Sequence, residues 1–358
     1  MKHATRISVS GLVLLALLAA AVMPLYAQRV VLSEESYAKP PQEIMDVVLA
    51  PRHNNATLSN LSPDGVHYLI TKRSGLTQIS DMAKPFYNLG ETEYDPKGNR
   101  SRRFTTTPTV GFELFNWKDQ TTTVIEVPDD AKVSSASWSP DGSKLAFFAH
   151  FDDATHIYIA NVSNGRSEKM TNTAVLATQI TSFQWTSDSE KILTVLLPDN
   201  RGSEPGIEEG IAQMRVRMTR SGETPTRTYR FLLQTPHDED LLEYYSTGQI
   251  ALIDVDNGRV QKIGEPDLYR SINMAPKGDY FRVTTMLRPF SYIVPQNSFG
   301  TYERMWDING NVVIDTLNYR ALREGGGGGR GGGAQGNGDK RSLGWAFDGN
   351  GMTYLQQE

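Results

Sequence analysis

The residues that could do chemistry are few and widely separated. The chain has no cysteine, which excludes disulfides, thiolate metal sites and a thiol nucleophile. No Gly-x-Ser-x-Gly occurs in its 358 residues, so the nucleophile elbow of a serine hydrolase is absent and no catalytic residue is assigned. His150, Asp152, Asp153 and His156 form a cluster, HFDDATH, of types a divalent metal takes. They fall between two apolar runs, Lys144–Phe148 and Ile157–Ala160, where a hairpin needs a polar loop, so no metal and no cofactor is expected. Arg288 and Tyr292, in RPFSY, directly follow an apolar run and are the candidate substrate-binding residues. A buried guanidinium there would suit an acidic side chain, because its planar fork matches a carboxylate; the competing reading is a strand-end anchor. Glu204–Arg230 mixes acids with arginines and reads either as a solvated insertion or as a lip over an entrance.

The elements that must position these residues are short strands. Trp138–Phe148, WSPDGSKLAFF, closes one apolar strand, turns at Ser139-Pro140-Asp141-Gly142 and starts the next. Pro140 pre-sets φ, Asp141 can bond its own backbone, and Gly142 takes a positive φ closed to other residues. Weaker copies stand at Leu61–Gly65, Trp185–Ser189, Met274–Gly278 and Trp345–Gly349, each followed by a strand-like run. Outer hairpins follow as well, with Asn164-Gly165, Asn257-Gly258 and Asn309-Gly310 between apolar runs, a strong short-range hairpin signal. Two hairpins per unit make four antiparallel strands, which is a propeller blade.

The expected fold is therefore all-β, an incomplete β-propeller of about four and a half blades over 58–358. Only the step from Ser139 to Thr186 is near the bare repeat of ~40–45 residues; the surplus elsewhere reads as insertions at 75–109 and 198–249 and a Gly-rich loop at 325–338. The fifth blade is half present, so the sequence reads as the front part of a longer protein whose open strand edges would make it poorly soluble alone.

Before the blades, Lys2 and Arg6 precede the apolar Gly11–Met23, and Pro24–Ala27 resembles a cleavage site. Residues 1–27 read as an export signal, giving a periplasmic or secreted protein; the apolar run is short of the ~20 residues a spanning helix needs, so no stable membrane insertion is expected. Residues 28–57 hold a short helix with Pro41 in its first turn and Ile44, Val47 and Val48 on one face. The net charge of −5 argues against nucleic acid as partner.

Longer segments carry a family resemblance. Tyr37–Pro51, Arg227–Asp254, Leu287–Pro295, Tyr302–Val313 and Arg341–Trp345, in this order, resemble the N-terminal half of the glutamyl endopeptidase-like branch of the prolyl oligopeptidase family of serine peptidases. That resemblance implies a propeller that caps a C-terminal α/β-hydrolase domain bearing a Ser, Asp, His triad, with peptides as substrates cut by acyl transfer, and cleavage after Glu is the specificity it raises. The hydrolase domain would be the partner in the same polypeptide and lies outside these residues. The PDG-type turns alone are shared with TolB-like exported propellers, which leaves a non-enzymatic protein-binding propeller as the alternative.

Overall fold

The structure, a computed structural model, describes residues 40–49, 60–206, 229–324, 340–349 and 351–356. The export signal, the Gly-rich segment and most of Glu204–Arg230 lie outside the described residues. The chain divides into two units, 1–50 and 51–358. In the first, α1 (Gln42–Leu49) follows Pro41, whose carbonyl accepts from the amides of Ile44 and Met45. Ile44, Val47 and Val48 are exposed.

The second unit is a succession of antiparallel sheets. The first sheet starts with β1 (His67–Arg73). An insertion follows, with α2 (Ile79–Met82) and a separate three-stranded sheet of β2 (Tyr87–Leu89), β3 (Thr92–Asp95) and β4 (Arg100–Ser101), then α3 (Arg102–Thr105). The first sheet resumes with β5 (Thr109–Asn116) and β6 (Thr121–Val124) in the order β1-β5-β6, and its innermost strand is reduced to one bridge, Leu61 to Tyr68. Three complete four-stranded sheets follow. They comprise β7 (Lys132–Trp138), β8 (Lys144–His150), β9 (Thr155–Asn161) and β10 (Ser167–Lys169); β11 (Gln184–Trp185), β12 (Lys191–Leu196), β13 (Gly248–Asp254) and β14 (Val260–Asp267); and β15 (Tyr269–Met274), β16 (Tyr280–Met286), β17 (Thr301–Asp307) and β18 (Val312–Arg320). Between β12 and β13 lies α4 (Pro236–Ser246), and β19 (Lys340–Trp345) pairs with β20 (Met352–Gln356) in a two-stranded sheet.

Within each complete sheet the strands pair in sequence order, as two joined hairpins must. The inner turns behave as their residues dictate. Ser139 Oγ donates to Asp141 at 2.6 Å, the Gly142 amide returns to the Ser139 carbonyl at 2.9 Å, and Gly142 sits at φ 74°. Thr186 repeats the bond to Asp188, with Ser189 at φ 65° in the glycine's place. The Ser139 hydroxyl bond holds the Asp141 carboxyl down at about 2.

These turns also touch one another from sheet to sheet. The Asp141 amide donates to Ser189 Oγ at 3.0 Å, Ser187 Oγ to the Lys277 carbonyl, and Gly349 lies against Lys277. The outer Asn-Gly hairpins lean backwards in the same way: a Cβ on Gly165 would stand 2.2 Å from the Val124 carbonyl of the preceding sheet.

Stacking of this kind buries both faces of β8, β12 and β13, which is why β8 reads KLAFFAH without polar alternation. Leu145, Phe147 and Ala149 pack with Leu114 and Phe112 of the first sheet. Ala146 and Phe148 pack with Ile192, Ala251 and Ile253 of the third. A third core of the same kind, with Val195, Leu252, Phe281 and Trp306, joins the third and fourth sheets. A fourth core is made by the insertions: Leu89 and Tyr94, Leu241, Leu242 and Tyr245 of α4, and Phe290, Val294 and Phe299 between β16 and β17. The insertions at 75–109 and 198–249, expected as loops, thus include ordered elements with a common apolar interior.

Candidate functional site

The HFDDATH cluster does not converge. It spans the end of β8, the connection to β9 and the start of β9, the polar-loop position expected from the sequence. His150 is buried and stacked on Phe104 with centroids 4.6 Å apart, whereas Asp152 is exposed and pairs with Lys84 at 3.1 Å and with Lys97. Those two lysine bonds keep the Asp152 carboxyl at about 2. Among the described residues no group of three or more metal-type ligands comes together.

The fold makes one pair that the sequence did not announce. At a bulge in β7, Ser134 Oγ stands 2.7 Å from His150 Nε2, and His150 Nδ1 stands 3.0 Å from Thr155 Oγ1. The partner behind the ring is a hydroxyl rather than a carboxylate. Burial and the cations Arg100, Lys132 and Arg103 hold the imidazole well below its ordinary pKa. A buried ring that resists protonation is a poor general base, and the pair instead fastens β7 to the β8–β9 end.

A different arginine fills the buried role considered for Arg288. Arg100 is 2 % exposed and meets Asp95 at 3.0 Å, Thr105 Oγ1 at 3.0 Å and the carbonyls of Phe151 and Ala154 at 2.6 and 3.1 Å. With its donors engaged by protein, it locks the small β2–β4 sheet onto the β8–β9 connection. Arg288 is more than half exposed and pairs with Glu243 of α4. Phe290 beside it is buried in the fourth core, Tyr292 packs against that core, and Ser291 Oγ donates to Glu324 at 2.7 Å. The stretch therefore anchors the end of β16.

The polar centre of this region is built from four distant segments. Gln179 Nε2 donates to Tyr94 Oη (2.5 Å), Gln296 Oε1 (2.7 Å) and Ser246 Oγ (3.3 Å); Gln296 Nε2 donates to Tyr94 Oη (2.7 Å) and the Leu89 carbonyl (2.9 Å). Burial pushes the Tyr94 phenol up, so it remains a neutral donor and acceptor. Gln296 opens a short 3₁₀ turn (Gln296–Ser298), whose carbonyls hold the arginines at the same edge: Arg270 Nη1 donates to the Gln296 oxygen and Arg320 Nη2 to the Phe299 oxygen, both at 2.8 Å. Next to it, Tyr87 and Tyr245 both donate to Glu204, at 2.5 and 2.7 Å; the carboxylate bond raises the Tyr87 phenol to about 12. No motif predicts this assembly, because each member comes from a separate insertion or strand end.

Two cavities are formed among the described residues. A mostly apolar cleft of about 620 Å³ opens between the fourth sheet and β19–β20, lined by Met305, Ile314, Leu317, Leu343, Trp345 and Met352. A groove of about 460 Å³ runs past Pro198, Arg201, Glu243, Tyr244 and Pro266.

Successive four-stranded antiparallel sheets, joined inner turn to inner turn, define this as a β-propeller chain, as its repeats led us to expect. No protein-family model matches it. It is 29% identical over 291 residues to a probable chloroplastic glutamyl endopeptidase of Oryza sativa subsp. japonica, and 29% identical over 292 residues to one of Arabidopsis thaliana. In each case the match takes 77% of this chain and 30% of the relative, so the chain spans under a third of the length of the curated relatives it matches. Among solved structures, the Pyrococcus horikoshii acylaminoacyl peptidase aligns at 18% identity and a TM-score of 0.37, over 69% of this chain and 30% of that one. The β-propeller domain of the Trilobed protease from Pyrococcus furiosus aligns at 15% and 0.36, over 71% and 55%. TolB from Acinetobacter baumannii aligns at 15% and 0.32, over 73% and 53%. The expected resemblance to glutamyl endopeptidases is borne out, as a likeness over 77% of this chain.

Proposed function

We propose that this chain is the propeller part of an exported serine peptidase, which gates peptide access to an α/β-hydrolase domain outside these residues. The observation that supports it is the 291-residue match to glutamyl endopeptidases. Stacked blades make a rigid wall, since central strands such as β8, β12 and β13 are buried on both faces, but blades as such supply neither a strained nucleophile turn nor oxyanion donors. A division of labour follows: the hydrolase domain would break the peptide bond, and the propeller would restrict which peptides reach it. The names of the relatives favour cleavage after Glu. Export is supported by the basic and apolar N-terminal residues; among the described residues no helix is long and apolar enough to cross a membrane.

The test is labelling of the full-length gene product with a fluorophosphonate probe, followed by assay on blocked peptides with Glu or Gln before the scissile bond. A labelled serine and faster cleavage after Glu are expected. A folded full-length product that takes no label would refute the peptidase reading and leave the protein-binding propeller.

A further inference from the structure

One end of the fourth sheet carries three arginines that have no acidic partner among the described residues. Arg270 is the second residue of β15, Arg320 ends β18, and Arg323 follows it; the Arg323 amide donates to the Ser298 carbonyl at 3.0 Å, in the 3₁₀ turn whose Gln296 carbonyl holds Arg270 and which Phe299, the acceptor for Arg320, closes. Several carboxylates of the fourth sheet and the segments joined to it have other partners. Glu303 pairs with Arg282, Glu243 with Arg288, Glu324 accepts from Ser291, and Asp267 faces Arg304 at 4.0 Å. Among the described residues none of the three arginines forms an ion pair.

Backbone carbonyls use only one nitrogen of Arg270 and one of Arg320. Arg320 Nε is shielded from solvent with no hydrogen-bond partner. Leaving such a donor unmade costs about 1–3 kcal/mol, more when it is charged. Burial, and then the charges of Arg270 and Arg323, lower the Arg320 guanidinium, so the group is crowded by like charge. Arg323 is exposed, and Arg270 and Arg320 are partly so, which leaves the cluster open to a ligand. Bringing the Arg270 and Arg320 side chains to one turn, with the Arg323 charge acting on Arg320 and no counter-charge among the described residues, is unfavourable unless an anion completes the group, and a planar oxyanion is what guanidinium forks match.

We propose that Arg270, Arg320 and Arg323 form a carboxylate-binding site that takes an acidic side chain or the C-terminal carboxylate of a peptide. The choice of a peptide carboxylate over a phosphate rests on the peptidase reading above. The hub of Tyr94, Gln179, Ser246 and Gln296 fixes the turn from behind, so the site is positioned by the insertions as well as by the blade.

The test is equilibrium binding of dye-labelled peptides to the full chain, read by fluorescence anisotropy. Three blocked peptides are compared: one with Glu and an amidated C-terminus, its Gln counterpart, and the Gln peptide with a free C-terminal carboxylate. At least tenfold tighter binding of one or both carboxylate peptides is expected, with the preferred one identifying the source. The preference should weaken as salt rises, and Arg320→Gln or Arg323→Gln should abolish it. Arg323 is exposed, so its variant keeps the fold even where Arg320→Gln does not. Equal binding of the all-amide peptide, or a preference retained in Arg323→Gln and in a folded Arg320→Gln, would overturn the proposal. Inorganic phosphate displacing the peptide at equal concentration would overturn the assignment to a peptide. None of these readouts involves turnover, so a missing fluorophosphonate label refutes the peptidase without touching the site, and the reverse also holds.

Discussion

Replacing Gly165 by alanine tests how successive sheets are held together. Gly165 has φ 74° and sits in the Asn164-Gly165 turn against the preceding sheet; Gly65 has nearly the same φ, 71°, with nothing within 4 Å of an added Cβ. Both substitutions meet the left-handed backbone penalty, about 1–2 kcal/mol. Only at Gly165 does the new methyl group collide, 2.2 Å from the Val124 carbonyl, well inside the 3.0 Å that real Cβ atoms keep. Moving the hairpin away adds an overpacking cost of about 1–3 kcal/mol. It also strains the bond from the Glu126 amide to the Gly165 carbonyl, 2.8 Å long, worth about 1 kcal/mol. Gly165→Ala should therefore lose about 2–4 kcal/mol more stability than Gly65→Ala. Urea unfolding followed by tryptophan fluorescence measures both, with the slope on denaturant checked to be unchanged. Equal losses at the two sites would mean that the hairpin does not press on the neighbouring sheet, and the stacked-blade reasoning would fall.

Asp95→Ala strands the Arg100 guanidinium in the interior and should cost about 3–5 kcal/mol by the same assay, whereas Lys97→Ala, at an exposed pair, should leave the unfolding midpoint nearly unchanged. His150 gives a pH signature. Its folded-state pKa lies below the ordinary 6.5, so the unfolded chain binds the proton first and stability falls as pH drops below about 6.5, by at most about 1.4 kcal/mol per pH unit. His156 shifts the same way from partial burial, so His150→Gln should flatten the slope between about pH 6.5 and 5 without removing it; an unchanged slope would refute the assignment. Asp141 and Asp152, held at about 2, act in a separate window, their stabilisation being lost only as pH falls from the usual carboxylate range towards 2. Thr235 caps α4, accepting from the Asp238 amide while Asp238 reaches back to the Thr235 amide, and Thr235→Ala should cost about 1 kcal/mol and loosen the fourth core, seen as faster amide exchange over α4.

Much of the blade architecture was legible because its signals are local. Ser139-Pro140-Asp141-Gly142 and the Asn-Gly pairs prescribe their own turns, and those turns set which strands pair. The helix at 42–49 was legible from Pro41 and the spacing of three apolar residues. The capping box Thr235-Pro236-His237-Asp238 was equally readable and predicts α4, but the mixed charge before it led us to read the whole stretch as an insertion without structure. Strands β2 and β4 are too short, three and two residues, for periodicity to reveal them.

What the sequence determined by itself was the repeat: a turn, a strand and a hairpin are specified by residues within reach of one another, and the similarity to glutamyl endopeptidases is legible there too. Only the tertiary structure decided which charges are buried, paired or left over. Arg100 and Arg288 each stand near aromatic residues in the sequence, yet one is enclosed with Asp95 and the other lies exposed against Glu243. Arg270, Arg320 and Arg323 lie together because β15 starts and β18 stops at the same end of one antiparallel sheet, where Gln296, Ser298 and Phe299 offer them carbonyls. Coulombic and desolvation energies depend on distance and burial in space, which sequence separation does not encode.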